Sequence, residues 1–390
     1  MKKMLSFVLA ISLLLAGGLC PPLQALAVET LDESAITLSV PSAVLMEKVS
    51  GEVIYAKNPH EKLYPASVTK VATLLLVVEE IEAGRLKLDD LVVCSAHAAS
   101  MGGSQIWLEE GEEMTVDDLL KAVTVVSAND CAVALAEHIA GSEEAFVKRM
   151  NDRAKELGCT DTNFTNCTGL ADDPKHVTSA MDIAILARAL ISHDLIKKYT
   201  TIWMDSLRGG ASMLTNTNKL IRFYEGATGL KTGYTAAAGH CLAATAERNG
   251  VEYIAVVMHG ATSAERFDDA KALLNYAFAN YTLASLRPDE ALPPLTVTLG
   301  KSGTIQPAFS GAAAVLIEKT KQQALEYTVE LPKEIAAPVT KGQVVGKLTV
   351  TSGGEVFATV DIVSPETVDR MGKWDVYKLL LSQLTGGTAP

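Results

Sequence analysis

The sequence lacks the features of several common protein classes. It contains no Cys-x-x-Cys pair and no cysteine–histidine spacing typical of a zinc site. No run of like charges is long enough to form an interaction tail, and no internal repeat indicates a solenoid. The formal net charge of −12 argues against nucleic acid as a partner, because a phosphate backbone attracts basic surfaces. We therefore expect no nucleic acid, no metal ion and no other cofactor.

Cysteine is scarce, with six residues in a chain of 390. Those beyond the N-terminal region are odd in number and irregularly spaced, which does not suit a disulfide framework. We interpret them as buried thiols that behave as small hydrophobic residues: Cys94, Cys131, Cys159, Cys167 and Cys241. His176 and His240 are likewise interpreted as structural residues rather than metal ligands.

The N-terminal apolar run is too short to span a membrane. It extends from about residue 4 to residue 16 after two lysines, whereas a spanning helix needs roughly 20 apolar residues. A small-x-small pattern ends at Ala27, so we predict a signal peptide over residues 1–27 and an exported, extracytoplasmic protein. Cys20 would be acylated in a lipoprotein, but the bulky Leu19 before it does not fit that pattern.

Two predicted β-hairpins enclose a helical region. The first joins strands at 42–47 and 52–56, and the second joins 240–247 to 251–258 through Asn249-Gly250, a favoured type I′ turn. Between them, helices are predicted to begin near Ser67, Thr115, Asp130, Ser142 and Ser179. We therefore predict an α/β (α+β) catalytic domain over residues 28–287. It would consist of an antiparallel sheet with helices packed on it, plus an all-helical lobe at about 76–220, with a cleft between them.

The composition changes after Arg287, where prolines mark a linker. Short β-prone runs follow at 295–299, 313–318, 326–331, 344–350 and 356–363, and they predict a small all-β domain over residues 288–364. Residues 365–390 form a tail whose helical pattern places large apolar side chains on one side: Met371, Trp374, Tyr377, Leu381 and Leu384. The tail is too short and too charged to span a membrane. It either lies on the outer membrane surface as an amphipathic helix or docks on the β domain.

A Ser-x-x-Lys motif supplies a candidate nucleophile and its base. Ser67 and Lys70 lie three positions apart, so a helix would bring the lysine amine beside the serine hydroxyl. Serine is a weak nucleophile until a base takes its proton, and a lysine with its usual pKa of about 10.4 is charged at neutral pH. Burial and nearby positive charge would lower that pKa. Taken alone, the motif more often belongs to an exposed surface helix.

Two further motifs follow in order along the chain. Residues 127–129 (Ser-Ala-Asn) fall in a loop between two predicted helices, where a hydroxyl and an amide could point into the cleft. Taken alone, this motif is typical of a helix cap. Residues 231–233 (Lys-Thr-Gly) precede the Asn-Gly hairpin on a predicted sheet edge. There, Lys231 would add positive charge, Thr232 a hydroxyl for a carboxylate, and Gly233 room for the substrate backbone.

These three motifs, in this order, form the set found in β-lactamases and penicillin-binding proteins. The chain resembles the low-molecular-mass penicillin-binding proteins, the D-alanyl-D-alanine carboxypeptidases, over roughly residues 35–285. Matches at residues 64–70, 102–104, 166–170 and 229–235 carry the resemblance. It is strongest for the sporulation-type members, through residues 141–146 and 217–220, whereas the β domain and the tail match in layout only.

The resemblance implies a serine peptidase that removes the terminal D-alanine from peptidoglycan stem peptides ending in D-Ala-D-Ala. It also implies that β-lactams bind covalently as inhibitors. On this sequence, Ser67 would form the acyl-enzyme and Lys70 would be the general base. Ser127 and Asn129 would pass protons and hold the substrate amide.

The same resemblance implies a set of substrate-binding residues. Lys231 and Thr232, beside Gly233, would engage the substrate carboxylate. Backbone N–H groups of Ser67 and Tyr234 would form the oxyanion hole. Arg266 occupies the place where the family uses an arginine for the terminal carboxylate. The alternative for Arg266 is a surface ion pair with a neighbour such as Asp269.

Other functions stay open at this point. A class A-like β-lactamase shares the three motifs but also needs a glutamate, usually in a Glu-x-x-Leu-Asn pattern, which is absent between residues 129 and 231. A DD-transpeptidase or an endopeptidase would use the same acyl-enzyme with another acceptor. A catalytically silent cell-wall-binding protein would not need every motif residue, and all are present.

Overall fold

The computed structural model describes residues 30, 31, 34, 36–170, 173–288, 290–311, 314–321 and 325–384. The predicted signal peptide and Cys20 lie outside these residues. The described chain divides into two compact units: residues 30–288 with 314–321, and residues 290–311 with 325–384. All three candidate motifs lie in the first unit.

The first unit is built on a five-stranded antiparallel sheet. The sheet contains β1 (Ser42–Glu47), β2 (Val53–Lys57), β7 (Ala227–Thr235), β8 (Gly239–Arg248) and β9 (Val251–Gly260). The spatial order of these strands is β2-β1-β9-β8-β7. Both predicted hairpins are confirmed. Asn249 and Gly250 have the positive φ angles, 53° and 76°, that a type I′ turn requires. Strand β7, which carries residues 231–234, lies at the sheet edge as predicted, so one of its sides has no neighbouring strand in this sheet.

The sheet separates two apolar layers, because alternate residues of a strand point to opposite faces. On β1, Val44 and Met46 join the core shared with the helical lobe. Ala43 and Leu45 join the core on the other face, which α9 (Ser263–Asn280) covers. Each fully buried side chain of valine or leucine size contributes roughly 1.5–3 kcal/mol, so both layers hold the sheet in place.

The helices predicted from the sequence are present in the helical lobe and begin near the predicted residues. Its helices are α1 (Lys70–Glu82), α2 (Ala96–Ala99), α3 (Val116–Val125), α4 (Asn129–Ala140), α5 (Glu143–Glu156), α6 (Ala180–Ile191), α7 (Asp194–Thr200) and α8 (Leu220–Phe223). Thr115, Ser142 and Ser179 each cap a helix by accepting a backbone N–H three residues later. The five cysteines of the described chain are buried and unpaired, as interpreted from the sequence.

The prediction that this lobe is all-helical was wrong in one respect. Two short antiparallel ribbons lie within it: β3 (Leu91–Val93) with β4 (Glu113–Thr115), and β5 (Met204–Leu207) with β6 (Ser212–Thr215). Strands of three or four residues are too short to show the alternating pattern from which strands are predicted.

The second unit consists of β-strands followed by one helix. The elements are β11 (Leu295–Thr298), β12 (Thr304–Ile305), β13 (Ala308–Phe309), β15 (Leu325–Glu330), β16 (Glu334–Ala336), β17 (Val344–Ser352), β18 (Glu355–Val363) and α10 (Lys373–Leu384). The strands form a three-stranded sheet in the order β12-β11-β16 and a four-stranded sheet in the order β13-β18-β17-β15. No helix of the described chain is both long enough and apolar enough to cross a bilayer.

One predicted strand of the small β domain pairs elsewhere. The run at 313–318 forms β14 (Ala314–Glu318), which pairs antiparallel with β10 (Tyr281–Ser285) in the first unit. Leu316 enters the core on the α9 side of the large sheet, and this burial explains the pairing. The boundaries 28–287 and 288–364 stay predictions.

Candidate active site

Ser67 lies in a tight turn just before the first long helix. A 3₁₀ turn over Ala66–Thr69 runs directly into α1. Ala66 has a φ of 47°, which is unusual for a residue with a side chain. Its carbonyl oxygen accepts a hydrogen bond from Thr69 Oγ1 at 2.8 Å. The turn that carries Ser67 is therefore strained at Ala66, and α1, predicted to begin near Ser67, begins at Lys70.

Lys70 is fully buried beside Ser67. Its Nζ lies 3.1 Å from Ser67 Oγ, 2.5 Å from Asn129 Oδ1 and 2.9 Å from the Thr168 carbonyl oxygen. Burial lowers the pKa of Lys70 to about 7, and nearby acidic groups such as Asp130 oppose this only in part. A neutral amine can donate to Asn129 and Thr168 and keep its lone pair for the Ser67 proton, which is the geometry of a general base.

The loop between α3 and α4 presents Ser127 and Asn129. Ser127 has a φ of 67°, is buried, and its Oγ has no hydrogen-bond partner among the described residues. Asn129 accepts from Lys70 through Oδ1 and donates through Nδ2 to the Gly102 carbonyl oxygen at 2.7 Å. Because an unpaired buried hydroxyl is costly, Ser127 is placed to hydrogen-bond a group from outside the protein.

The edge strand β7 brings a second buried lysine to the site. Lys231 is 1% exposed, and its Nζ donates to the Thr232 carbonyl oxygen at 2.9 Å. Burial lowers the pKa of Lys231 well below its usual value, and the positive charges of Lys70 and Arg266 add to this effect. The Thr232 hydroxyl donates to Thr217 Oγ1 at 2.7 Å. Of the two predicted causes of a lowered lysine pKa, burial acts at both lysines, whereas nearby positive charge lowers the pKa only at Lys231.

Gly233 and Tyr234 complete this strand. A Cβ added at Gly233 would lie 2.8 Å from the Pro65 carbonyl oxygen and 3.1 Å from the Ser67 backbone nitrogen. The glycine therefore allows β7 to approach the Ser67 turn, a different reason from the predicted room for substrate. The Tyr234 side chain is 59% exposed and stacks on His240, with ring centroids 4.3 Å apart.

Arg266 projects from α9 toward the same strand. Its guanidinium is largely buried and donates to the Gly233 carbonyl oxygen at 2.9 Å and to that of Cys241 at 3.5 Å. Asp269, the alternative partner considered from the sequence, instead accepts the backbone N–H of Val40 at 2.8 Å. Arg266 therefore fixes a backbone carbonyl of the Lys-Thr-Gly strand and adds positive charge behind it.

The loop at residues 166–170 was recognised as a motif, but its role was not. Its Thr168 carbonyl oxygen accepts from Lys70. Asn166 Oδ1 shapes the loop by accepting the backbone N–H of Gly169 at 2.6 Å. A Cβ added at Gly169 would lie 1.8 Å from the Ala66 carbonyl oxygen, so the loop packs directly on the Ser67 turn. In the sequence, Asn166 and Gly169 were the residues from which the role of this loop could have been predicted.

His176 was interpreted as structural, and the structure shows which feature it supports. Thr69 Oγ1 donates to the Ala66 carbonyl oxygen, so His176 Nε2, 2.8 Å away, must donate to that hydroxyl. His176 Nδ1 accepts the backbone N–H of Thr165 at 3.0 Å. Burial lowers the pKa of His176 to about 4, which keeps this neutral form at neutral pH. No sequence signal linked His176 to Ser67.

A buried lysine amine against a serine hydroxyl, between a helical lobe and the edge strand of an antiparallel sheet, defines an active-site serine enzyme. The family model for D-alanyl-D-alanine carboxypeptidase matches residues 29–262, and that for the C-terminal domain of penicillin-binding protein 5 matches residues 286–370. The chain belongs to the D-alanyl-D-alanine carboxypeptidase family, which confirms the resemblance found in the motifs.

Individual relatives agree with this assignment. The chain is 42% identical over 336 residues to the D-alanyl-D-alanine carboxypeptidase DacF of Bacillus subtilis, covering 85% of this chain and 86% of that protein. Penicillin-binding protein 5 from Haemophilus influenzae has a similar structure, with a TM-score of 0.73, 31% identity, and coverage of 86% of this chain and 98% of that one. Penicillin-binding protein D2 from Listeria monocytogenes, solved with ampicillin bound, has a TM-score of 0.57, 31% identity, and coverage of 62% and 98%. The family consists of serine hydrolases that act on peptidoglycan ending in D-Ala-D-Ala and bind β-lactams.

Proposed function

We propose that Ser67 is the residue acylated when this D-alanyl-D-alanine carboxypeptidase removes the terminal D-alanine from stem peptides. The supporting observation is the 3.1 Å distance between Ser67 Oγ and the Lys70 amine, whose pKa of about 7 suits a base at neutral pH. Lys70 takes the hydroxyl proton as Ser67 attacks the carbonyl carbon of the penultimate D-alanine. The C–N bond then breaks, the leaving amine gains a proton by way of Ser127, and water later hydrolyses the ester.

The remaining site residues bind the substrate in this proposal. Lys231 and Thr232 engage the terminal carboxylate, and Arg266 adds positive charge while it holds the β7 backbone. The Asn129 amide holds the substrate amide. The backbone N–H groups of Ser67 and Tyr234 stabilise the oxyanion, because donors fixed in a water-poor site need no reorganisation when charge develops.

Substitution of Ser67 tests the assignment. Ser67→Ala should abolish both covalent penicillin labelling and D-alanine release from a pentapeptide, with losses on the order of 10⁶ known for nucleophile deletions in serine hydrolases. Intact-mass spectrometry after a penicillin pulse and chromatographic detection of D-alanine measure the two reactions. Ser192→Ala is a matched control, since Ser192 ends α6 and is exposed away from the motifs. Labelling of the Ser67→Ala protein would refute the assignment.

The lifetime of the penicillin adduct separates this function from a β-lactamase. The three groups in contact with the Lys70 amine are a hydroxyl, an amide oxygen and a backbone carbonyl, so none is a carboxylate that could activate water. The β-lactam leaving group also stays tethered and obstructs water. We expect an adduct on Ser67 that persists for minutes or longer. Rapid return to the unmodified mass, with excess hydrolysed penicillin, would support the β-lactamase instead.

We further propose that the protein associates with the membrane surface through α10. The helix exposes a stripe of large apolar side chains, and the most exposed are Leu384, Trp374, Tyr377 and Leu380. Such a face suits the interface of a bilayer. Deletion of residues 366–390 should release the protein from membranes and leave its activity on a soluble peptide intact. Equal partitioning of the truncated and full-length forms would instead support a helix docked on the second unit.

Export remains a proposal that rests on the sequence of residues 1–27. Expression of the full chain in a bacterial host, followed by fractionation and N-terminal sequencing, tests it. We expect a mature protein in the extracytoplasmic fraction that begins at Val28. A cytoplasmic protein that retains its first residues would contradict export.

A further inference from the structure

The Lys70 amine is oriented in part by a backbone carbonyl, which no substitution can remove. Its Nζ lies 2.9 Å from the Thr168 carbonyl oxygen and 2.5 Å from Asn129 Oδ1. A neutral amine has two N–H groups, so these two acceptors occupy both of them and direct the lone pair toward Ser67. Because the Thr168 acceptor belongs to the backbone, its position depends on what holds the loop of residues 166–170.

Cys167, the residue before Thr168, is held at both of its backbone polar groups. Thr73 Oγ1, on α1, donates to the Cys167 carbonyl oxygen at 2.6 Å. Glu143 Oε1 accepts the Cys167 backbone N–H at 2.9 Å. Cys167 is fully buried, so its N–H would be left unsatisfied if this acceptor were lost. The loop is therefore fixed between α1 and the carboxylate of Glu143.

Glu143 reaches the loop from the start of another helix. It is the first residue of α5, and only 17% of its side chain is exposed. Its second oxygen, Oε2, lies 2.9 Å from Nε2 of His97, which belongs to α2. The thiol of Cys167 also contacts the carboxylate. The side chain is thus held by the loop on one side and by α2 on the other, so its own position is well defined.

We propose that Glu143 is a positioning residue for the active-site base. The inference rests on the proposed function, in which Lys70 takes the proton of Ser67. Glu143 acts through Cys167, because its contacts are with the loop and with α2 rather than with the reacting groups. Loss of the Cys167 contact would let the Thr168 carbonyl move away from Nζ, so the lone pair would no longer be directed at the serine. The chemical step should slow, whereas the binding of penicillin before acylation should not change.

The proposed role requires the reach of the side chain and an acceptor oxygen, but no negative charge. Glu143→Gln keeps an oxygen at the same distance along the side chain and removes the charge. Glu143→Asp keeps the charge but is one methylene shorter, so its oxygens fall short of the Cys167 N–H. The glutamine variant should therefore acylate within about threefold of the wild-type rate, and the aspartate variant roughly tenfold more slowly, as expected when one hydrogen bond is lost.

Quenched-flow acylation of the full-length protein by a chromogenic penicillin tests the proposal. It gives the limiting acylation rate, the half-saturating penicillin concentration and the fraction of protein that becomes labelled. Glu143→Asp should lower the limiting rate and leave the other two quantities unchanged. Glu144→Gln and Glu144→Asp are the matched controls and should leave all three unchanged. Glu144 is exposed and lies in the same first turn of α5, so each control makes the same change of charge or length at the helix N-terminus.

Three outcomes would overturn the positioning role while leaving the proposed function intact. The first is an aspartate variant that acylates as fast as its Glu144→Asp control. The second is a glutamine variant slower than the aspartate variant, because the charge rather than the Cys167 contact would then matter. The third is a smaller labelled fraction at an unchanged limiting rate, which indicates a merely structural role for Glu143.

Two further results complete the test. If Glu143→Asp does not fold, Glu143→Gln decides alone, and a limiting rate well below that of Glu144→Gln overturns the proposal. If penicillin does not label the wild-type protein at all, the proposed function fails and the inference fails with it. Limiting rates that fall in the order wild type, Glu143→Gln and Glu143→Asp, with unchanged controls, would establish Glu143 as a residue that positions the base.

Discussion

Acylation of Ser67 should depend on pH through Lys70. The amine acts as a base only when neutral, so the rate should rise through a midpoint near pH 7 and level off above about pH 8. With its ordinary pKa of 10.5, lysine would be neutral at pH 7 in roughly one molecule in 3,000. With a pKa of about 7, it is neutral in about half of the molecules. Burial therefore raises the fraction of active base about a thousandfold at this pH.

Quenched-flow acylation by a chromogenic or fluorescent penicillin, from pH 5.5 to 9.5, measures this profile. Lys70→Arg keeps the charge but cannot act as a base, so it should abolish acylation while the circular dichroism spectrum stays unchanged. Lys121→Arg, in an ion pair with Asp205 on the lobe surface, is the matched control. A flat profile, or a midpoint near pH 10, would refute the argument that burial activates Lys70.

The burial of Lys70 should also make the stability of the protein depend on pH. Between about pH 7 and 10.5 the unfolded chain keeps a proton on Lys70 that the folded protein has lost, so stability rises with pH in that window. Below about pH 7 both states are protonated, and the destabilisation is constant. Lys70→Met removes this contribution, so its stability advantage over the wild type should shrink by an amount on the order of 4 kcal/mol between pH 7 and 10.5. Urea unfolding of both proteins at the two pH values measures it.

Two further substitutions test the support of the Ser67 turn. Gly233→Ala places a Cβ against the Pro65 carbonyl oxygen and should slow penicillin acylation at least about tenfold, whereas Gly303→Ala, which meets nothing within 4 Å, should not. His176→Leu removes the donor to Thr69 and should slow acylation, while His176→Gln keeps a donor and should retain more of the rate. Because burial lowers the pKa of His176 to about 4, the unfolded chain binds a proton on this histidine at a higher pH than the folded protein does. Wild-type stability should therefore fall as the pH is lowered from about 6.5 to 4. Urea titrations of His176→Gln should show a shallower fall, and an unchanged fall would contradict the role of this histidine.

Much of the local structure could be predicted because it depends on neighbouring residues. The caps at Thr115, Ser142 and Ser179 need only a side-chain oxygen and an N–H three residues later. The Asn249-Gly250 turn needs two residues that tolerate positive φ. The Ser-x-x-Lys spacing predicts a contact within one helical turn, and that contact is present at 3.1 Å. The order of the motifs was enough to identify the family.

Only the tertiary structure decided how distant segments meet. Thr168 and Asn129 contact the Lys70 amine although they lie 98 and 59 positions away in the chain, and no local pattern links them. The pKa of Lys70 depends on how completely the packed lobe excludes water, which spacing does not determine. Strand β14 pairs with β10 rather than with the second unit because its apolar residues find a core there. Burial and pairing of this kind are sums over many long-range contacts, so they become defined only when the whole chain folds.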